Sequence, residues 1–121
     1  MATLSVEKIK PGTTPMLTII VDGEDITEAT VYVTIDMKDR HITKDTRNSE
    51  GEIVLEALYE DEELIGTQIT VQYSQADTLF LRPGYASLEV GWVFDDGAAD
   101  KSDLARIKIP KTLYRGAMIY G

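Results

Sequence analysis

Hydrophobic and polar residues alternate in two stretches near the middle of the chain, from Thr67 to Tyr73 and from Gly84 to Phe94. Hydrophobic side chains at every second position allow a strand to bury one face and leave the other in water. We therefore predict two strands, whose buried faces carry Ile69, Val71, Tyr73, Leu88, Val90, Trp92 and Phe94.

A short connector joins these two strands. Ser74 and Asp77 have the S-x-x-D spacing of a helix N-cap, which is enough for one or two helical turns. Pro83 and Gly84 then end the turn and start the second strand. The pattern predicts a strand, a short helix and a long strand, in that order.

The rest of the chain predicts further strands, because β-branched residues and alternation recur between turn residues. The last of them stops at Pro110, since proline cannot donate a hydrogen bond to a sheet. Ile53, Leu55 and residues 57–58 predict a further strand, although a helix over residues 52–65 also fits part of the pattern, and Gly66 is predicted to separate this element from the strand that follows. The other predicted strands are residues 16–21, 29–36, 41–44 and a last one marked by Leu104, Ile107 and Ile109.

Seven or so short strands with little helix favour an antiparallel β-sandwich. At 121 residues the chain is too short for two cores, so residues 1–121 form one domain. Residues 1–12 are predicted to be an N-terminal arm and residues 110–121 a C-terminal docking tail. Ile19, Val33, Ile35, Val90 and Trp92 are predicted to share one core.

Composition narrows the class of protein. The chain contains no cysteine, which excludes disulfides and Cys-based zinc sites and fits a protein made in a reducing cytoplasm. Its net charge of -9 argues against a nucleic-acid partner, because phosphates repel such a surface. No hydrophobic run approaches the roughly 20 residues that span a bilayer, and no secretory signal is visible, so no membrane partner is expected.

Charge is distributed unevenly. Residues 48–81 include eight acidic residues and no Lys or Arg, whereas the chain after Asp103 carries four basic residues and no acidic one. The tail is also hydrophobic, so we predict that it leaves its own sandwich and binds a neighbouring subunit, with residues 50–63 as the charge complement. The alternative is that it folds back onto its own domain. The predicted contact residues are Lys108, Lys111, Leu113, Tyr114, Arg115, Met118, Ile119 and Tyr120, with Glu60, Asp61, Glu62 and Glu63 on the acidic side.

Three stretches recur together in a family pattern: GTTP before the first strand, DITEATVYVTI from Asp25, and SQADTLFLRPG from Ser74. In this order they resemble small phage and prophage proteins related to the N-terminal domain of the upper baseplate protein of lactococcal siphophages. The resemblance spans residues 12–115 and implies an immunoglobulin-like fold that fastens one virion component to another. It implies no catalytic residues. Residues 46–66 are longer and more acidic than the family pattern.

Candidate chemistry is sparse. No Ser or Cys nucleophile pattern lies near His41, so we expect an ordinary exposed polar residue there and not a catalytic base. A hairpin turn or a solvated loop is preferred to calcium at the acidic positions. Three aromatic residues could stack on a sugar, but we expect them in the core, because an alternating strand usually buries such side chains: Tyr73, Tyr85 and Trp92. No enzyme and no cofactor are expected; the acidic positions weighed for calcium are Asp95, Asp96, Asp100 and Asp103, and Glu60 to Glu63.

From these features we expect a structural or adaptor protein of a bacteriophage particle, placed in the tail, baseplate, neck or capsid surface. It would act by contact with other virion proteins, in repeated copies or as a homo-oligomer, after synthesis in the host cytoplasm. The alternative is a module that binds the host surface or a carbohydrate.

Overall fold

The computed structural model describes residues 8–48 and 51–121, together with the backbone of residues 2–4. Of the described residues, 52% lie in strands and 4% in helix. The strands form two antiparallel sheets packed against each other. The predicted all-β sandwich is therefore confirmed. Its immunoglobulin-like character stays a prediction.

Each sheet combines pairs of consecutive strands with a central pair that is distant in sequence, β2 with β6 in the first sheet and β3 with β7 in the second. The first sheet has the order β1-β2-β6-β5, with β1 at Ala2–Leu4, β2 at Met16–Asp22, β6 at Glu63–Gln72 and β5 at Ile53–Glu60. In the second sheet β4 pairs β3 and β3 pairs β7, while β8 and β9 both pair β7. Their bounds are β3 Thr30–Met37, β4 Arg40–Asp45, β7 Gly84–Val93, β8 Ala99–Lys101 and β9 Ala105–Ile109.

One hydrophobic core fills the space between the sheets. The predicted core residues Ile19, Val33, Ile35 and Val90 are fully buried, and Trp92 is 6% exposed. Strict alternation in β3 and β7 directs every second side chain inward, as the period of two requires. The predicted shared core is confirmed.

The predicted N-terminal arm is partly a component of the sandwich. β1 pairs antiparallel with β2 at the edge of the first sheet. Ile9 is buried, and its backbone N–H donates to the carbonyl oxygen of Lys108 at 2.9 Å. Residues 1 and 5–7 of the predicted arm lie outside the described residues. The described part of the arm therefore lies along the domain, because the side chain of Ile9 is buried and its backbone is bonded to β9.

Residues 52–65, left open between strand and helix, form β5, a turn at Asp61 and Glu62, and the start of β6. Gly66 lies inside β6 opposite Asp22, so the prediction that it separates two elements is wrong. The pairing register shifts between Leu58 and Tyr59, where β6 carries Ile65 as an extra residue.

The prediction that Leu104 belongs to the last strand and shares the face of Ile107 and Ile109 is also wrong. Strand β9 begins at Ala105, and its buried side chains are Ile107 and Ile109. Leu104 differs from both by an odd number of positions, so a strand cannot place it on their face. It is 66% exposed.

The connector between β6 and β7 is the predicted short helix, α1, at Gln75–Leu79. The Ser74 side chain accepts from the Asp77 backbone N–H at 3.1 Å, and the Asp77 carboxylate accepts from the Ser74 backbone N–H at 2.8 Å. This reciprocal capping box satisfies two N–H groups that a helix start leaves unpaired. β7 then begins at Gly84, as predicted.

We expect Ser74→Ala to lower the free energy of unfolding by about 1 kcal/mol, the usual contribution of an N-cap hydroxyl. Urea titration followed by Trp92 fluorescence measures it. Ser74→Thr, which keeps the acceptor, is the matched control and should lose less. Equal losses in both variants would contradict the role of the hydroxyl.

Candidate contact surfaces at the two ends of the sandwich

The C-terminal tail, residues 110–121, passes over α1. It leaves β9, which pairs with the first half of β7, and so emerges beside the helix. The Gln75 side-chain amide donates to the carbonyl oxygen of Met118 at 2.9 Å and accepts from the Met118 N–H at 2.7 Å. The tail backbone is therefore held against its own domain at Met118, where one glutamine amide pairs with both backbone groups. That the tail binds a neighbouring subunit stays a prediction.

The hydrophobic side chains of the tail remain in water. Leu113 is 98% exposed and Ile119 91% exposed. The contact with Gln75 is purely polar, so it fixes the backbone without covering apolar surface. The tail therefore presents a row of unburied hydrophobic side chains on an anchored backbone: Leu113, Tyr114, Met118, Ile119 and Tyr120.

A cavity of about 270 Å³ lies between the tail and the end of α1. Its lining combines apolar side chains from the N-terminal turn, α1 and the α1–β7 connector with basic side chains. The full lining is Pro11, Leu79, Leu81, Arg82, Pro83, Lys111, Thr112 and Arg115. We call this the basic cavity.

Hydrogen bonds to a buried threonine fix the position of the Pro11 wall. The Gly12 N–H donates to the hydroxyl of Thr78 at 2.9 Å, and that hydroxyl donates to the carbonyl oxygen of Thr13 at 2.8 Å. Gly12 has φ of +81°, a left-handed conformation that glycine adopts at no steric cost. The turn predicted at Pro11 and Gly12 is thereby tied to α1, and its Pro11 lines the cavity.

The basic side chains of the cavity have no anionic partner within the described parts of the chain. Arg82, Lys111 and Arg115 form no salt bridge there. Lys111 and Arg115 were predicted contact residues, whereas Lys108 lies on β9 and outside the lining. Arg82 could not be recognised from the sequence as part of this site, because only the fold brings it next to residues that follow it by some thirty positions.

The acidic hairpin, Glu60 to Glu63, lies at the other end of the molecule. Glu60 pairs with Glu63, and the two residues between them have positive φ, 51° at Asp61 and 67° at Glu62. This is the geometry of a type I′ hairpin, which matches the twist of its strands. All four side chains are exposed and form no salt bridge with the described residues.

The two charged surfaces lie apart within one copy. The hairpin precedes β6, and α1 follows it, so the ten residues of β6 separate them. At about 3.3 Å per residue the separation is about 30 Å. The predicted complementary charges therefore face opposite ends of the sandwich.

Two of the candidate calcium residues accept hydrogen bonds from nearby backbone N–H groups. Asp96 accepts from the Ala98 N–H at 2.9 Å, and Asp100 accepts from the Lys101 N–H at 2.8 Å. Among the described residues no three acidic or histidine side chains gather as a metal site would need. His41 is exposed, and it pairs with Asp36 across the β3–β4 hairpin.

The aromatic residues considered for sugar binding do not share a surface. Tyr73 and Trp92 are buried, as expected of core residues, whereas Tyr85 is exposed, so its expected place in the core is wrong. The guanidinium of Arg106 lies 3.8 Å from the centroid of the Tyr85 ring and so covers one of its faces. A stacking platform made of these three rings is therefore ruled out.

A buried lysine that the sequence did not reveal links three parts of the fold. Lys44 on β4 bonds the carboxylate of Glu52, before β5, and that of Asp77 on α1 at 3.0 Å. Burial alone lowers the pKa of Lys44, but these carboxylates outweigh it and raise the pKa above its usual value. Burial likewise raises the pKa of Asp77, yet hydrogen bonds from Ser74 and Lys44 bring it below its usual value.

Comparisons of the sequence with models of known protein families and with curated proteins found no match. Among the described residues, no helix has the length and hydrophobicity needed to cross a membrane.

Proposed function

We propose that this protein is a structural or adaptor protein of a bacteriophage particle that acts by contact with other virion proteins and without catalysis. The observation that carries the proposal is the C-terminal tail, whose hydrophobic side chains are exposed while its backbone is anchored by Gln75. The ordered motifs from Gly12 to Gly84 support the setting, because they resemble phage proteins that fasten one virion component to another.

The tail offers apolar surface that a partner could bury. Fully burying one large hydrophobic side chain contributes about 1.5–3 kcal/mol. Leu113, Ile119 and Tyr120 are almost completely exposed and so stand to gain most of that amount on meeting a partner. Left uncovered, such a row is a liability for a small domain, which favours a partner in the assembled state.

Anchoring the tail also favours binding. A tail held at Met118 loses less conformational freedom when a partner covers it than a free tail would. The contact is then between a preformed strip and a complementary surface. A preformed contact surface of this kind is expected of a protein that connects other components of a particle.

The proposal is tested by polar substitution of the strip. We expect the triple variant Leu113→Ser, Ile119→Ser, Tyr120→Ser to keep the thermal stability of the parent, because these side chains are exposed. Its incorporation into particles should fall at least about tenfold, the effect of losing about 1.4 kcal/mol of contact energy. Mass spectrometry of heads and tails purified separately, from a phage lacking its own copy, gives the measurement and the location.

Leu104→Ser is the matched control, since Leu104 is also an exposed leucine but lies outside the tail. It should be incorporated like the parent. Normal incorporation of the triple variant, or absence of the parent protein from every particle fraction, would refute the proposal.

A further inference from the structure

We propose that the basic cavity of one copy binds the acidic hairpin of a second copy, so that copies join head to tail. This inference rests on the proposed function, because it names the partner of one contact surface in an assembly of repeated copies. It concerns the cavity beneath the tail and is independent of what covers the hydrophobic strip.

The charges on the two surfaces are complementary and unpaired. Three basic side chains, Arg82, Lys111 and Arg115, line the cavity without an anionic partner among the described residues. Four carboxylates crowd the tip of the hairpin without a cation there. Contact between them would relieve like-charge repulsion on both sides and steer association.

The shapes also correspond. The hairpin narrows to a two-residue turn at Asp61 and Glu62, and it projects beyond the last pair of β5 and β6. A cavity of about 270 Å³ admits the side chains of such a tip but no further element of secondary structure. The apolar residues of its lining, Leu79 and Leu81 among them, suit the methylene groups of glutamates and the exposed ring of Tyr59, which adjoins the hairpin.

The backbone of the turn supports a role for its carboxylates. Type I′ turns favour Asn and Gly, because both central residues have positive φ. Here Asp61 and Glu62 occupy those positions, and a left-handed glutamate is sterically unfavourable. Despite this steric cost, Asp61 and Glu62 place two negative charges at the outermost point of the turn.

The pairing cannot close within one copy. The hairpin and the cavity are separated by the length of β6, about 30 Å by the strand rise, and a folded strand cannot bend back over that distance. A contact between different surfaces of identical subunits is heterologous, so it propagates into a ring or a helical array. The hairpin must therefore come from another copy.

Cysteine cross-linking tests this directly, because the chain contains no cysteine of its own. We mix the Glu62→Cys variant with the Thr112→Cys variant under mild oxidation and measure the disulfide-linked heterodimer. The control pairs Thr112→Cys with Glu28→Cys, an exposed acidic position outside the hairpin. The hairpin pair should give at least about ten times more heterodimer, and about 1 M salt should remove the excess, because the Debye length is then about 3 Å.

Reversing the charges on each surface tests which charged residues make the contact. Glu60→Lys with Glu63→Lys, and separately Lys111→Glu with Arg115→Glu, should each weaken self-association at least about tenfold in sedimentation velocity. Mixing the two reversed proteins should restore a heterodimer. Cross-linking no better than the control, or association that ignores both reversals, would overturn the inference.

The two proposals fail separately. Self-association is measured on purified protein, whereas incorporation is measured on particles. A protein that enters particles through its hydrophobic strip but shows no hairpin-to-cavity contact would refute this inference alone.

Discussion

Replacing Gly66 with alanine should lower the free energy of unfolding by about 2–4 kcal/mol, because the new methyl group has no space. A Cβ at this position would overlap the carbonyl oxygen of Val21 and lie 3.2 Å from the Cα of Asp22. Both are backbone atoms of the paired strand β2, so no side-chain rotation relieves the contact. Thermal and urea unfolding measure the loss.

Gly91→Ala is the matched control, since Gly91 also lies in the interior of a long strand. A Cβ there would meet Lys101 Cγ at 3.6 Å, an ordinary van der Waals distance to a flexible side chain. We expect a change within about 1 kcal/mol, of either sign. If Gly66→Ala were as mild as Gly91→Ala, the close approach of β6 and β2 would be wrong.

Replacing Lys44 with methionine should cost about 2–3 kcal/mol at neutral pH. Methionine keeps most of the buried hydrophobic stem but leaves Asp77 and Glu52 without their shared cation. The interaction joins β4, the segment before β5 and α1, so its loss loosens the two sheets at the helix end. The control Lys101→Met removes an exposed lysine whose ammonium lies 3.6 Å from the Glu89 carboxylate, and it should cost no more than about 0.5 kcal/mol.

The Lys44 effect should depend on pH in a defined direction. The pKa of Asp77 is lowered in the folded state, so its contribution is complete above its unfolded value, about 4, and is lost as pH falls through the folded value. The pKa of Lys44 is raised, so its contribution is complete below about 10 and is lost as pH rises through the folded value. The difference between parent and Lys44→Met should be constant between these limits and shrink below about pH 4. A difference unchanged at acid pH would show that Lys44 acts through packing alone.

Local features of this protein were predictable from the sequence because they depend on neighbouring residues. The S-x-x-D spacing at Ser74 and Asp77 is sufficient for a capping box, and alternation in β3, β6 and β7 identifies the buried face. The prediction failed at Leu104, which lies an odd number of positions from Ile107 and Ile109 and so cannot share their buried face. Residues 52–65 stayed open between strand and helix, because their hydrophobic positions fit both periods in part.

The contact surfaces were predictable only in part. The sequence identified an acidic segment and a basic, hydrophobic tail, since charge and hydropathy accumulate locally. It did not identify Arg82 as a member of the basic cavity or Lys44 as a buried cation, because each depends on residues that are distant in the chain.

The sequence by itself determined the class of fold, the short helix and the residues of the core, because a strand period and a cap are properties of adjacent residues. The tertiary structure decided which strands are neighbours, why Gly66 must lack a side chain, and that opposite charges face opposite ends of the sandwich. It also decided that the tail is held by Gln75 while its hydrophobic side chains stay in water. These features depend on distances between residues far apart in sequence, which sheet pairing fixes and local patterns do not contain.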